Sequence, residues 1–264
     1  MEVELNALNS GTILDNINHT FLTLIPKVQS PRKVIDFRPI SLSNVLYKLI
    51  VKVLANQLKP ILPDLVSKTQ SVFMSERLIT YNVLIAYETL HCLKSKRSGR
   101  MGYMALKLNM SKVYDHVEWD YLESIMAKMG FSNRWISLIS SCIHIVTYLI
   151  MLNGQPHGLI KPSRGLRQGD PLSPYLFLLV TEGLHALFKM VEDDGDFMGV
   201  SLSLAGPRIS HLLFADDSLI FCKATATECV KIQAILFKYE QALGQSINRG
   251  KKSLFFSSNI AVQT

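Results

Sequence analysis

Ile209-Ser210-His211-Leu212-Leu213-Phe214-Ala215-Asp216-Asp217-Ser218-Leu219-Ile220-Phe221-Cys222 sets two adjacent aspartates between two apolar runs. The runs, 209–214 and 218–222, read as two strands, and the acids sit at the turn joining them. Like charges this close repel, and apolar surroundings raise the cost. A divalent cation would offset it, because Mg²⁺ takes carboxylate oxygens. An ordinary β-turn is the competing reading, since Asp and Ser are favoured turn residues. These residues alone leave both open.

The chain around this stretch alternates strand and helix signals. Downstream, Thr225 and Glu228 form a capping box for a helix to Leu243, which Gly244 stops. Ser253–Ser257 then reads as a last strand. Upstream, 199–204 reads as a strand, and Asp170-Pro171 as the N-cap and first position of a helix to about Val191. Asn153-Gly154, after the apolar run 148–152, signals a hairpin. Helices are expected over 118–129, ended by Gly130, and over 132–146, capped by Ser132. Tyr103–Asn109 reads as a strand and Asn82–Lys96 as a helix. Apolar residues at 42, 45, 46, 49, 50, 53, 54 and 58 have a helix period, with Ser41 or Ser43 as cap and Pro60 as limit. Thr20–Pro26 reads as a strand. The fold class is therefore α+β, a central antiparallel sheet backed by helices.

Composition adds bounds. The 264 residues fit one large domain or two lobes, and 48% apolar content supports a sizeable core and does not indicate disorder. No linker is visible. The net charge of +7 favours nucleic acid or anionic surfaces, weakly. The stretch Lys94, Lys96, Arg97, Arg100 is either a solvated loop or a phosphate contact. Cys92, Cys142, Cys222 and Cys229 contain no C-x-x-C pair, so reduced thiols without disulfide partners are expected, in the cytoplasm or nucleus. The N-terminus lacks the features of a signal peptide. The longest apolar stretch, 174–188, contains Thr181, Glu182 and His185. It reads as too short and too polar to span a bilayer, so no membrane partner is expected.

A second stretch carries chemistry: RGLRQGDPLSP, residues 164–174. A loop bearing Gly165 and Gly169 leads into a helix start, with Arg164, Arg167 and Gln168 beside it. Such a junction suits an anion, because backbone approaches closely at glycine and the helix N-terminus favours negative charge. A plain loop-to-helix connection is the alternative.

Taken in order, RGLRQGDPLSP and Phe214-Ala215-Asp216-Asp217 resemble motifs B (164–174) and C (214–217) of LINE-type (non-LTR) retrotransposon reverse transcriptases, particularly plant elements. FRPISLSNVLYK (37–48), RLITYNVLIAYE (77–88) and KPSRGLRQGDPLSPYLF (161–177) agree, and the similarity runs from about Asn6 to Ser258. The resemblance implies one reverse transcriptase domain over 1–264, a right-hand polymerase with fingers mainly over 20–100 and palm mainly over 101–258. It implies RNA-directed DNA synthesis with Mg²⁺, dNTPs, an RNA template and a DNA primer. Arg38 and Arg77 would lie near the incoming nucleotide, and Gln168 and Gly169 over the templating base pair. Arg164 and Arg167 would line the cleft. Tyr114 would sit beneath the sugar, Asp216 and Asp217 at the metal site, and Lys251 beside the pyrophosphate leaving group. Tyr114 as core and Lys251 as a surface charge are the bland alternatives.

The chain departs from the family in motif A, residues 103–115. The family's Leu-Asp-Met-Ser-Lys-Ala-Tyr-Asp here reads Leu108-Asn109-Met110-Ser111-Lys112-Val113-Tyr114-Asp115. The catalytic aspartate has become Asn109. A two-metal site clamps ions about 3.5–4 Å apart, and a neutral amide brings one weak acceptor and no charge to it. Asp115 lies roughly 20 Å further along an extended strand, too far to substitute. Ser75-Glu76-Arg77 replaces the family's Pro-Gly-Arg, and Thr80-Tyr81-Asn82 its Thr-Asp-Asn. The sequence closes soon after Lys251, so a missing thumb is expected, and no endonuclease or RNase H segment is read. The expected protein is a degenerate polymerase that no longer extends a primer. The alternative is a nucleic-acid-binding or protein-interaction scaffold without activity.

Overall fold

The structure, a computed structural model, describes residues 17–74, 77–111, 114–203, 206–215, 217–244, 246–247 and 252–260. The chain divides into two compact units, 1–61 with 114–179, and 62–113 with 180–264.

In the first unit, β1 (His19–Pro26) pairs antiparallel with β2 (Phe37–Ser43) and parallel with β4 (Thr147–Leu152), which pairs with β5 (Gln155–Ile160). Asn153 and Gly154 both take positive φ, 49° and 78°, as a two-residue hairpin turn requires. Helix α1 (Val45–Leu58) follows β2 directly. The helix expected from residue 42 thus begins at Val45: Leu42 and Ser43 are strand, paired with Phe21 and Thr20. Neither Ser41 nor Ser43 caps it. Asn44 does, its side chain accepting from the Leu46 amide at 2.9 Å.

In the second unit, the short α2 (Leu62–Leu65) leads to α3 (Ile79–Ser95), which starts three residues before the expected Asn82. β3 (Tyr103–Ser111) is longer than expected by two residues. Back in the first unit, α4 (Trp119–Lys128) and α5 (Asn133–His144) lie as the sequence indicates, with Ser132 accepting from the Trp135 amide.

Helix α6 (Ser173–Asp193) begins later than Asp170-Pro171 suggested. Asp170 instead accepts from the Leu172 amide at 2.8 Å, and the Leu172 carbonyl receives the first helical bonds, from Tyr175 and Leu176. The Asp-Pro pair is a turn feeding the helix. At 21 residues, α6 is long and apolar enough to cross a membrane by length and composition, which the 174–188 reading had excluded. Half of its most apolar window is buried within the protein.

The rest of the second unit is a sheet. The strand expected at 199–204 is reduced to β6 (Val200–Ser201), paired with β7 (Arg208–Ile209), while Leu204 lies outside the described residues. β8 (His211–Phe214) and β9 (Asp217–Lys223) follow, then α7 (Ala226–Leu243), β10 (Ser246–Ile247) and β11 (Ser253–Phe256). The order is β10-β3-β9-β8, with β11 also on β3, all antiparallel. Thr225 caps α7, accepting from the Glu228 amide at 3.3 Å.

Side chains alternate along β3. Ala105 packs with Phe221, Leu212 and, from α3, Ala86 and Leu93, all buried. Met104, Leu106 and Leu108, on the other face, line a cavity of about 510 Å³ with Ile232 and Leu236 of α7. Burying a side chain such as Phe221 contributes about 1.5–3 kcal/mol. That holds β3 centrally, and β3 carries Lys107 and Asn109 on the Ala105 face.

Candidate functional site

β8 and β9 form a two-residue hairpin, with Phe214 paired to Asp217 and Ala215 at φ 53°. β3 lies beside β9 in the register Lys107↔Leu219, Asn109↔Asp217. Residues over a hundred positions apart therefore face each other directly. Asn109 Nδ2 donates to Asp217 Oδ1 at 3.0 Å. Lys107 Nζ lies 3.1 Å from Asp217 Oδ2. Both carboxylate oxygens thus have donors from one neighbouring strand. Asp216 and Lys251, expected at this site, lie outside the described residues, as do Ser75 and Glu76.

The donor set tests the expected Mg²⁺. Mg²⁺ requires near-octahedral oxygen ligands. Asn109 presents an amide N–H to the carboxylate, and Lys107 an ammonium. Among the described residues no group of three His, Cys, Asp or Glu could hold a metal ion. The described residues do not fit a divalent cation.

Arg77, expected near the incoming nucleotide, is engaged by the backbone. Its guanidinium donates to the carbonyls of Pro63, Val66, Ser67 and Gln70. These carbonyls lie within α2 and in the segment beyond it, where a four-residue helix leaves its last acceptors open; Ser67 O also accepts from Gln70 N. The clamped segment backs the aspartate hairpin: Leu213 N donates to Thr69 O at 2.9 Å, and Gln70 bridges to Leu213. Asn82 adds a bond to Thr69 O at 2.8 Å. Arg77 is thus a staple under β8.

In the first unit, the 164–174 loop is held from three sides. Gly165, at φ 96°, lies so close to the chain at 114–115 that a Cβ would meet Asp115 O at 3.0 Å. Leu166 N donates to Tyr114 O, and Trp119 Nε1 to Gly165 O. The Tyr114 ring packs on Phe177 at 5.3 Å. Arg164 pairs with Glu118 at 3.0 Å. Ser41 N donates to Gln168 O, Gln168 Nε2 reaches Asp115 Oδ1 at 3.3 Å, and Gly169 is exposed near Ile40. Arg38 is exposed on β2.

Arg167 corrects the expectation that it lines a cleft. It is buried, at 5% exposure. Its guanidinium donates to Asn18 Oδ1, to Cys142 O at 2.9 Å and to Thr20 Oγ1 at 3.5 Å, and lies 4.1 Å from the Tyr47 ring centre. Cys142 O, near the end of α5, also accepts from Asn18 and Tyr47. The nearby thiol of Cys142 is pushed well up by burial.

Sequence reasoning missed a buried polar chain in the second unit. His185 Nδ1 and His211 Nε2 are 2.9 Å apart, Ser210 Oγ bonds His211 Nδ1, and Ser67 Oγ donates to Glu182 Oε1 at 3.1 Å and bonds Thr69. The signal was present as Glu182-x-x-His185 on one helix face, but its partners are remote in sequence. Burial pushes His211 down to about 3, with His185 adding to it. Burial pushes Glu182 up to about 7, against the pull of Ser67 and Arg77.

Glu182 therefore makes stability fall with rising pH. Between its ordinary value of 4.5 and about 7 the folded state holds a proton that the unfolded chain has lost. The stabilisation is complete below 4.5 and gone above about 7. Its size is on the order of 3 kcal/mol. Urea unfolding at about pH 5 and about pH 8 should show this drop, and Glu182→Gln should remove most of it. An unchanged slope in that variant would refute the assignment.

The reverse transcriptase (RNA-dependent DNA polymerase) family model matches residues 25–261. The chain belongs to that family. It is 57% identical over 70 residues to an uncharacterized mitochondrial protein of Arabidopsis thaliana, covering 26% of this chain and 57% of that one. It is 25% identical over 261 residues to the transposon TX1 uncharacterized 149 kDa protein of Xenopus laevis, covering 97% of this chain and 19% of that one. It is 26% identical over 199 residues to a Pol polyprotein of the R2 retrotransposable element of Popillia japonica, covering 75% and 26%. This reverse transcriptase domain thus spans a minor part of the retrotransposon proteins it matches, and its LINE-type resemblance holds. In fold it is similar to apo telomerase from Candida tropicalis, at TM-score 0.64 and 15% identity, covering 94% of this chain and 52% of that one. The α+β sheet-and-helix architecture agrees with that likeness.

Proposed function

We propose that this reverse transcriptase domain binds primed RNA template inside the cell but adds no nucleotides. The observation that carries the reading is the Asn109 amide in register with Asp217, where the family pattern has a carboxylate. The 164–174 loop, with Gln168 and Gly169 presented near β2, supports retained template contact. Arg38 would meet the triphosphate of a bound dNTP. Arg77, committed to four carbonyls, would act by holding the hairpin. A protein-interaction scaffold is favoured by one observation, the exposed apolar row Ile79, Val83, Leu84 and Tyr87 on α3.

Nucleic-acid binding separates the two. Arg164 is paired and Arg167 buried, so the exposed cations at 94–100 carry the expected phosphate contacts. Affinity for a primed RNA should fall steeply with salt, because each neutralised phosphate releases counterions. Replacing Lys94, Arg97 and Arg100 by Gln should flatten the log–log slope by about two to three. Absent binding at low salt, or binding indifferent to salt, would favour the scaffold.

A further inference from the structure

We infer that Lys107 and Asn109 take the place of a divalent cation at Asp217, so that the Asp217 carboxylate is satisfied without metal. The inference rests on reading β3, β8 and β9 as a polymerase palm.

The geometry is specific. Asp217 has two oxygens, and each has its own donor: the amide at 3.0 Å and the ammonium at 3.1 Å. Both donors come from β3, two residues apart on one face, so the strand register aims them together. The ammonium neutralises the carboxylate that a cation would otherwise need to neutralise. The amide cannot simply turn over, because its oxygen would then face Asp217 Oδ1 at hydrogen-bond distance with no proton between them. A dication entering here must displace an ammonium from one oxygen and break the hydrogen bond that the Asn109 amide donates to the other. Among the described residues it would gain only one neutral amide oxygen as an added ligand. With aspartate at 109, the entering ion meets two carboxylates from the described residues, and Lys107, half exposed, swings to solvent.

Mn²⁺ is the probe, because its spin resonance reports bound ion without any catalytic turnover. The whole chain and its Asp217→Asn, Asn109→Asp and Asn109→Asp/Lys107→Met variants are titrated with Mn²⁺. The natural sequence should show no millimolar-or-tighter binding that depends on Asp217. Asn109→Asp, alone or with Lys107→Met, should gain at least about tenfold in affinity, the effect of one added anionic ligand on a hard cation. Mn²⁺ bound by the natural sequence and lost in Asp217→Asn overturns the inference. So does failure of both aspartate variants to gain binding.

Thermal unfolding in chelator gives an independent readout. A carboxylate left uncompensated would make Asp217→Asn more stable, whereas a satisfied one makes it equal or less stable. A clear rise in Tm for Asp217→Asn overturns the inference. Loss of nucleic-acid binding by the natural chain would instead sink the proposed function and leave the Mn²⁺ result standing.

Discussion

Asn109→Asp, carried in a chain that also supplies a family-like thumb, should extend a primer on RNA at least about 10²–10³-fold faster than the same chain with Asn109. Single preorganised electrostatic contacts at developing charge are commonly worth that much in rate. Position 109 meets Asp217 directly across the sheet, so a carboxylate there restores charge where the family chemistry uses it. The natural sequence should give no measurable template-directed synthesis. If the combined chain stays silent, Glu76→Gly is the next change, since an acid adjoins Arg77 in sequence. Asp216→Ala controls for contaminating polymerase. Extension by the natural sequence at rates near those of Asn109→Asp would end the degenerate reading.

Arg167→Ala should lower stability by about 3–5 kcal/mol, the usual effect of removing one member of a buried charged cluster. The guanidinium is 5% exposed and serves Asn18, Thr20 and Cys142 O while stacking on Tyr47. Its loss strands Asn18 Oδ1 and removes the cation that shares this buried cluster with Asp170. Arg167→Lys should recover little. An ammonium cannot reach several acceptors in one plane and lie flat on a ring. The measurement is the urea midpoint, with an unchanged m-value confirming that stability alone has moved. A loss within about 1 kcal/mol would mean the cluster is not a folding determinant.

These two arginines show where sequence reading stops. Arg77 and Arg167 carry the same charge and sit in family motifs, and both were read as contacts to nucleotide or cleft. Arg77 meets backbone carbonyls 7 to 14 residues before it, and Arg167 meets groups 25 to 149 residues away, which no spacing rule reveals. Local signals fared better. Ser132, Thr225, Asn153-Gly154 and the alternation in β3 depend on neighbours a few residues away, and each lies where its chemistry indicated. Leu42 and Ser43 failed for an instructive reason. Leu42 fits a helix period, yet its backbone pairs with Phe21, and Asn44, the better cap, was passed over. Of the candidate site, the meeting of Asn109 with Asp217 was legible, because a family motif order fixes which strands adjoin. The Lys107 pairing and the Glu182–Ser67–Thr69–His211–His185 chain were not, because each depends on side-chain directions that only the assembled fold defines.

The direct pairing of Asn109 with Asp217 also separates two kinds of genetic damage. A point substitution at 109 alters what the strand offers and leaves its ladder untouched, so chemistry can be lost while the sheet persists. An insertion or deletion of one residue upstream within β3 would turn position 109 toward the face of Leu106 and Leu108, and bring those apolar side chains to the other. Such an event would ruin folding and chemistry together. A lineage drifting free of selection for synthesis, but still selected for a folded domain, should therefore accumulate substitutions at 107, 109 and 217 while the lengths of β3 and β9 stay fixed.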